Sequence, residues 1–396
     1  MSAPSITSRR ATDAALPLSP LIRFLTESPY AARAGDPSIS DFTFGNPHDP
    51  TPRAFLDALH THIGPLPPTA YAYHQSEPRA REVVAASLVA ESGLPFEPED
   101  VIMTTGAFGA ITVAFAALLD PGDEVVYGLP PWVLDEPMLR HVGAVPVKVP
   151  LAPPTFALDA DTLERALTPR TRLVIVNTPH NPTGRIYGAD ELGRLAAVLE
   201  RAGARFGRPI MLLSDEPYRR LRFGGRPFQF PAAHYARTIM SYSWGKILLT
   251  PGARIGYLAI GPHNPERAAL RAAFQTTAIT GGWLFPNALL QRALPDLMDV
   301  SIDLDALERK RARVVFALRE MGYELADPEG TFYLLPRAPG GDDAAFAARL
   351  ARDDVFVLPG SVCELPGWFR MCLTATESMI ERALPVFAAA IRELGG

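Results

Sequence analysis

A chain of 396 residues, 47% of them hydrophobic, can bury a sizeable core and has room for two or three domains. Its formal charge of −5 gives no basic footprint for nucleic acid, and no apolar run is long enough to span a bilayer. That leaves a small molecule as the expected partner.

Residues 1–20 are rich in Ser, Ala, Thr and Pro, carry an Arg9-Arg10 pair and lack the apolar centre of a signal peptide, so they read as a loose arm. Cysteine occurs only at Cys363 and Cys372, without a second Cys/His pair for a zinc site and without a disulfide framework, which fits a reducing, cytoplasmic location. The apolar stretch Leu21–Ala34 predicts a short helix, Ile39–Phe44 a strand and Gly45-Asn46-Pro47 a turn. Gly45 is either a plain turn glycine or a point where backbone approaches a ligand. Pro65–Tyr73 is too rich in proline for a helix and reads as a loop presenting Tyr71 and Tyr73.

A helix is expected over Glu77–Glu91, then a buried strand over Val101–Thr105 that runs into Gly106-Ala107-Phe108-Gly109 and an apolar helix to Leu119. Unpaired N–H groups and the helix dipole at such a junction face one point, which makes a place for an anion, although many turns of this kind carry glycine for steric reasons alone. Asp120–Glu124 is a turn and Val125–Tyr127 a short strand. The irregular segment after it presents Trp132, which could stack on a planar ring or fill the core. Val145–Leu151 reads as a strand, and Asp161–Glu164 as a capping box that opens a short helix.

Leu173–Pro179 is a continuous apolar run of the kind found in strands covered on both faces, and it ends in His180-Asn-Pro-Thr-Gly184. Polar groups at the C-terminal edge of a strand stand where open α/β sheets bind ligands. A helix follows with Leu192, Leu195 and Leu199 on one face, then a strand, Ile210–Ser214, that ends in Asp215-Glu-Pro-Tyr218. A carboxylate behind such an apolar run needs a cation or several donors. Thr238–Tyr242 reads as a buried strand, and Arg254–Ile260 as a second one returning to the sheet after a tight turn. Ser241, Ser243, Lys246 and Arg254 then gather at one strand end. Partial desolvation there would make Lys246 a Schiff-base nucleophile, the plain alternative being a surface lysine beside a hairpin.

The alternating strands and helices up to residue 260 predict an α/β fold with a mainly parallel sheet sandwiched by helices. After Phe285 the pattern changes to a helix over Asp303–Met321, a strand over Thr331–Leu335, a helix over Asp342–Ala351, strands over Val355–Leu358 and Phe369–Leu373, and a terminal helix, which reads as a separate α+β lobe. Arg370, set among Trp368, Phe369 and Met371, is either a snorkelling edge residue or a carboxylate clamp that faces the first lobe.

Four motifs together, Asn181-Pro-Thr-Gly184, Asp215-Glu-Pro-Tyr218, Ser243-x-x-Lys246 with Arg254 eight residues later, and Arg370 near the end, resemble the fold-type I pyridoxal-phosphate enzymes, specifically the class I/II aminotransferase family. The resemblance runs in the family's order from about Ser19 to the C-terminus. It implies a large cofactor-binding domain over residues 46–284, a small α+β domain over 285–396, and an N-terminal segment, 1–45, packed with the small domain.

The resemblance further implies pyridoxal 5′-phosphate, carried by Lys246 as an internal aldimine, with Asp215 on the pyridine nitrogen, Asn181 and Tyr218 on the phenolic oxygen and Trp132 stacked on the ring. The phosphate would meet the N–H groups of Gly106, Ala107 and Phe108, with Ser241, Ser243 and Arg254 completing the cup. Because residues 106–108 have no hydroxyl, backbone and Arg254 would bear more of that load. Arg370, with Asn181 and with Gly45 nearby, would hold the substrate α-carboxylate, and no metal is expected. Tyr71, or alternatively Tyr73, would reach the neighbouring site in a homodimer.

The implied reaction moves the amino group of an L-amino acid to a 2-oxo acid through aldimine and quinonoid intermediates. A lyase, a cyclase of the aminocyclopropane-carboxylate synthase kind or an amino-acid oxidase would use the same scaffold differently. A non-catalytic ligand domain of a transcription regulator fits less well, since no DNA-binding segment precedes residue 20 and the catalytic set is complete. No second arginine can be assigned to a distal carboxylate, so the donor's side chain stays open.

Overall fold

The computed structural model describes residues 6–64 and 66–394. Over its described part, the segment read as a loose arm is helical: α1 (Arg9–Ala15) opens on Ser8, whose hydroxyl accepts from the Ala11 N–H, and α2 (Ser19–Glu27) follows. The helix expected over 21–34 therefore stops at Glu27. Ser28 precedes Pro29, whose ring disfavours helical backbone at the residue before it, and Ser28 is extended.

The chain continues through β1 (Ser40–Asp41), α3 (Arg53–Thr61), α4 (Pro78–Ser92), β2 (Val101–Thr104) and α5 (Gly106–Leu118). Next come β3 (Glu124–Leu129), α6 (Asp135–Val142), β4 (Val145–Pro150), α7 (Ala160–Ala166), β5 (Thr171–Asn177), α8 (Ala189–Phe206) and β6 (Met211–Asp215). Then follow α9 (Pro231–His234), β7 (Thr238–Ser243), α10 (Trp244–Ile247), β8 (Gly256–Ile260), α11 (Arg267–Thr280) and α12 (Ala288–Leu297). The last stretch holds α13 (Leu304–Glu320), β9 (Tyr333–Leu334), α14 (Asp343–Ala351), β10 (Val355–Phe356), β11 (Leu358–Pro359), β12 (Phe369–Cys372) and α15 (Glu377–Leu394). The cap of α7 is Asp159 rather than the expected Asp161: its carboxylate accepts from the Asp161 N–H and the Thr162 hydroxyl and so starts the helix earlier.

A seven-stranded sheet in the order β2-β8-β7-β6-β5-β3-β4 forms the centre, parallel except where β8 runs antiparallel to β2 and β7. The expected helix-sandwiched, mainly parallel sheet is what the chain forms. Successive side chains of β5 point to opposite faces: Leu173 and Ile175 pack with Ile111 and Phe115 of α5 and Phe274 of α11, while Val174 and Val176 pack with Leu192, Leu195 and Leu199 of α8. Cover on both faces is why Leu173–Val176 carries no polar residue; each such side chain contributes about 1.5–3 kcal/mol on burial. The sequence reading placed no element between Ile260 and Phe285, where α11 lies. Its Arg267 and Arg271 both bind the fully buried carboxylate of Asp100, so a charged face tethers α11 to the start of β2.

In the smaller lobe, β11, β12 and β9 form an antiparallel sheet, and Tyr323, Phe346, Phe369 and Phe387 build the core beneath it. The N-terminal segment joins this lobe, because β1 pairs in parallel with β10 and Ser40 donates to the Met379 carbonyl at 3.0 Å. Among the described residues, no helix is long and apolar enough to cross a membrane.

Candidate active site

The C-terminal ends of β5, β6 and β7 lie side by side, and the strand register decides what meets there. Asn177 stands opposite Asp215, and Asp215 opposite Ser241. The Asn177 amide therefore donates to Asp215 Oδ2 at 2.8 Å and the Ser241 hydroxyl to Oδ1 at 2.5 Å, so both carboxylate oxygens are held. Burial pushes the Asp215 carboxyl up to about 6, with Glu216 adding to it, while the Ser241 and Asn177 bonds and the Lys246 ammonium pull the other way. This acid is positioned before any ligand arrives, and a nearby cation would bring it back to full ionisation.

Lys246 lies on α10, directly after β7, where Ser243 caps the helix by accepting from the Gly245 N–H. Its amine has no hydrogen-bonding or ion-pairing partner among the described residues, and it stands 5.8 Å from the ring centre of Tyr218 and 5.9 Å from that of Phe332. Burial brings it down to about 8, and Arg370 and Arg254 push the same way against Cys372 and Asp215. The chain has three lysines. Lys148 is paired with Glu136 and Glu364, and Lys310 donates to the carbonyls of Ala375 and Leu373. Lys246 is thus the lysine with a free and readily neutral amine.

At the start of α5 no side chain caps the helix, and Ala107 and Phe108 open onto the same cavity as Lys246. Gly106, at φ +81°, lies one layer behind: a Cβ there would stand 2.8 Å from Arg254 Nη2, and one on Gly256 would stand 2.6 Å from Gly106 Cα. Two glycines packed backbone to backbone let Arg254 reach the helix start, where its Nη2 donates to the Thr105 carbonyl at 2.9 Å. A helix N-terminus with a guanidinium beside it fits a phosphate. Ser243 lines the cavity as expected, whereas Ser241 is fully buried and its hydroxyl is spent on Asp215, so it does not complete the cup.

Arg370, buried on β12, donates from Nη2 to the Thr43 carbonyl at 2.8 Å and from Nη1 to Asn181 Oδ1 at 3.2 Å, with Tyr333 against its face at 4.5 Å. Its Nε is buried without a partner among the described residues. A buried guanidinium held at two of its five N–H groups is no snorkelling edge, and its remaining donors can take a carboxylate. Gly45, Trp132, Asn181 and Tyr218 line the same cavity, of about 490 Å³, and Phe108 stands edge-on to Trp132 at 5.7 Å. Gly45 is required there because a Cβ would stand 2.7 Å from the Phe332 ring. Tyr71 is 64% exposed, lies outside this cavity and carries the Arg292 guanidinium over its ring at 5.0 Å; Tyr73 packs on Phe285.

Two residues join the site that the sequence reading did not single out. Asn177 is found only through cross-strand register. Tyr333 comes from the other lobe, with its hydroxyl 3.0 Å from that of Tyr218. Behind the site, Asp135 lines a neighbouring small pocket with Trp132 and Asn177, and its carboxyl is lifted well above the usual range by burial and by Asp215. His180 is neutral, pushed down to about 3 by burial, and bonds Thr183 at 2.8 Å.

A family model of aminotransferase class I and II matches residues 39–387. The chain belongs to the class I and II aminotransferase family. This aminotransferase is 32% identical over 354 residues to an aspartate/prephenate aminotransferase of Thermus thermophilus, covering 87% of this chain and 89% of the relative. It is 36% identical over 280 residues to a probable N-succinyldiaminopimelate aminotransferase of Mycobacterium tuberculosis, 68% of each chain. Among solved structures, an amino transferase from Eubacterium rectale matches with a TM-score of 0.90 at 26% identity, over 99% of this chain and 100% of that one. The Thermus thermophilus aspartate aminotransferase matches with 0.83 at 28% identity, over 98% and 100%. The protein is therefore an amino-group transferase of the fold-type I class, a class that uses pyridoxal 5′-phosphate. The aminotransferase names of these relatives favour transfer over the elimination, cyclisation and oxidation alternatives.

Proposed function

We propose that the cavity takes pyridoxal 5′-phosphate on Lys246 and that the residues around it serve an amino-group exchange between an L-amino acid and a 2-oxo acid. The observation that carries this reading is the unpartnered Lys246 amine, which burial makes easier to deprotonate, in the same cavity as a doubly hydrogen-bonded buried acid and an uncapped helix start. When bound, the cofactor supplies an aldehyde that condenses with amines and a ring that draws off the electron pair left when a bond to Cα breaks.

Each residue then has a task. Lys246 would hold the cofactor through its neutral amine and would be the base placed to take a proton from the substrate Cα. Asp215, fixed by Asn177 and Ser241, keeps a proton on the ring nitrogen, a charge-assisted bond worth about 1.5–3 kcal/mol. Asn181 and Tyr218 would bond the phenolic oxygen, and Trp132 would cover the ring and keep water away from it. The N–H groups of Gly106, Ala107 and Phe108, with Ser243 and Arg254, would hold the phosphate. Arg370, steadied by Asn181 and Thr43 and lining the same cavity as Gly45, would hold the α-carboxylate.

The same reading makes residues 46–284 the cofactor domain and 285–396 the small domain, with 1–45 packed on it. It also pairs two chains so that Tyr71 or Tyr73 reaches the neighbouring phosphate, and it places the protein, with both thiols free and buried, in the cytoplasm. The test is spectral. An L-amino acid added to the cofactor-loaded protein should convert its visible absorbance to a near-ultraviolet band, and a 2-oxo acid should restore it. Release of ammonia and oxo acid with no such reversible exchange would reject the reading.

A further inference from the structure

The cavity wall carries four charged side chains, Asp215, Lys246, Arg254 and Arg370, and each is already committed. Arg254 lies at the start of α5, Arg370 serves the α-carboxylate, and Lys246 and Asp215 serve the cofactor. The wall that remains comes from α2, from the turn after β1, from α5, from the segment before α6 and from β11. It consists mainly of Leu21, Leu25, Phe44, Phe108, Val133 and Leu358.

Leu21 and Leu25 are four apart on α2 and so share one face. From the same helix, Phe24 points into a buried cluster with Tyr30, Phe356 and Leu358, against which Phe44 and Val133 also pack, so this cluster backs the cavity wall. Helix α2 is thus anchored on the small lobe by one side chain while two others face the cavity. Leu25 stays 44% exposed and Phe108 38% exposed, large apolar surfaces at the cavity that a ligand could cover.

We propose that this wall is the side-chain subsite and that the amino donor carries an apolar side chain, aliphatic or aromatic, with α2 as its cover. The proposal rests on the reading above that Arg370 takes the α-carboxylate. A second carboxylate placed against these six residues would lose its hydration and find no donor in return. An apolar side chain gains from the same surface, and one methylene in such a pocket is worth about 10–200-fold in kcat/KM. The names of the Thermus and Mycobacterium relatives specify donors with a second acidic group, and this wall offers no cation for one.

The test uses the full-length, cofactor-loaded protein. Half-reaction rates are measured with L-phenylalanine, L-leucine, L-aspartate and L-glutamate, and calorimetry gives dissociation constants for two unreactive carboxylic acids, 3-phenylpropionate and succinate. We expect phenylalanine or leucine to lead aspartate and glutamate by at least about 100-fold, and 3-phenylpropionate to bind at least about 10-fold tighter than succinate. Leu25→Arg, a change at a part-exposed position, should narrow both gaps by about 10-fold or more. Aspartate or glutamate reacting as fast as the better of phenylalanine and leucine, or succinate binding tighter, would overturn the proposal while leaving amino transfer on Lys246 intact. If no amino acid discharges the visible band, the reading of the whole site fails with it.

Discussion

Replacing Lys246 with methionine should make the cofactor-free protein more stable while abolishing its turnover. The two side chains are similar in length, so the packing near Tyr218 and Phe332 is largely kept and the ammonium is lost. Burial brings the lysine from 10.5 to about 8, and one pKa unit is about 1.4 kcal/mol, so the folded chain spends roughly 3 kcal/mol to hold this amine protonated. Lys246 is only part-buried and opens on the cavity, where water relieves some of that cost; the gain expected at pH 7 is about 1–3 kcal/mol.

The sign follows from linkage. Between pH 8 and 10.5 the unfolded chain binds a proton that the folded chain has released, so the wild type gains stability as pH rises through that window and the variant does not. The advantage of the variant should be constant below pH 8 and fall to less than half by about pH 9.5. Urea unfolding of both apoproteins at matched concentration, at pH 7 and pH 9.5, measures it. A wild type as stable as the variant at pH 7, or a difference that ignores pH, would refute the claim that the cavity suppresses the charge on this amine.

Arg370→Lys keeps the charge but loses the planar fork that reaches Thr43 and Asn181; KM for the amino donor should rise about 10–100-fold with the visible cofactor band unchanged, and an unaltered KM would count against the clamp. Ser241→Ala removes the donor to Asp215 Oδ1, which should lower kcat about 10–100-fold and move the acidic limb of its pH profile upward, as Asp215 becomes harder to ionise. If Ser241 instead served the phosphate, the variant would weaken cofactor affinity and leave that limb in place. Gly256→Ala would drive a methyl group into Gly106; equilibrium dialysis should show at least about 10-fold weaker cofactor binding, along with about 1–3 kcal/mol lost in urea unfolding.

Local pattern made the sheet and its reactive edge legible. The unbroken run Leu173–Val176 announced a strand covered on both faces, and Asp215, Lys246 and Arg370 stood out as charges in apolar settings. Register, by contrast, is a property of pairs of strands. Ser241 and Ser243 share one face of β7, and only the pairing of β6 with β7 shows that Ser241 belongs to Asp215 while Ser243 opens on the cavity. Asn177 was hidden for the same reason, and Tyr333 because it comes from the other lobe. Helix α1 carries no buried side chain and so left no apolar stripe to read, whereas α11 was passed over although Leu270, Phe274 and Ala278 recur four apart on its buried face.

The central claim is that Lys246 carries the cofactor, and borohydride reduction of the loaded protein followed by peptide mapping tests it most directly. With three lysines in the chain the outcome is unambiguous. The account predicts the reduced phosphopyridoxyl group on the peptide containing Lys246, in a ratio approaching one per chain. A label on Lys148 or Lys310, or a loaded protein that takes up none, would contradict it.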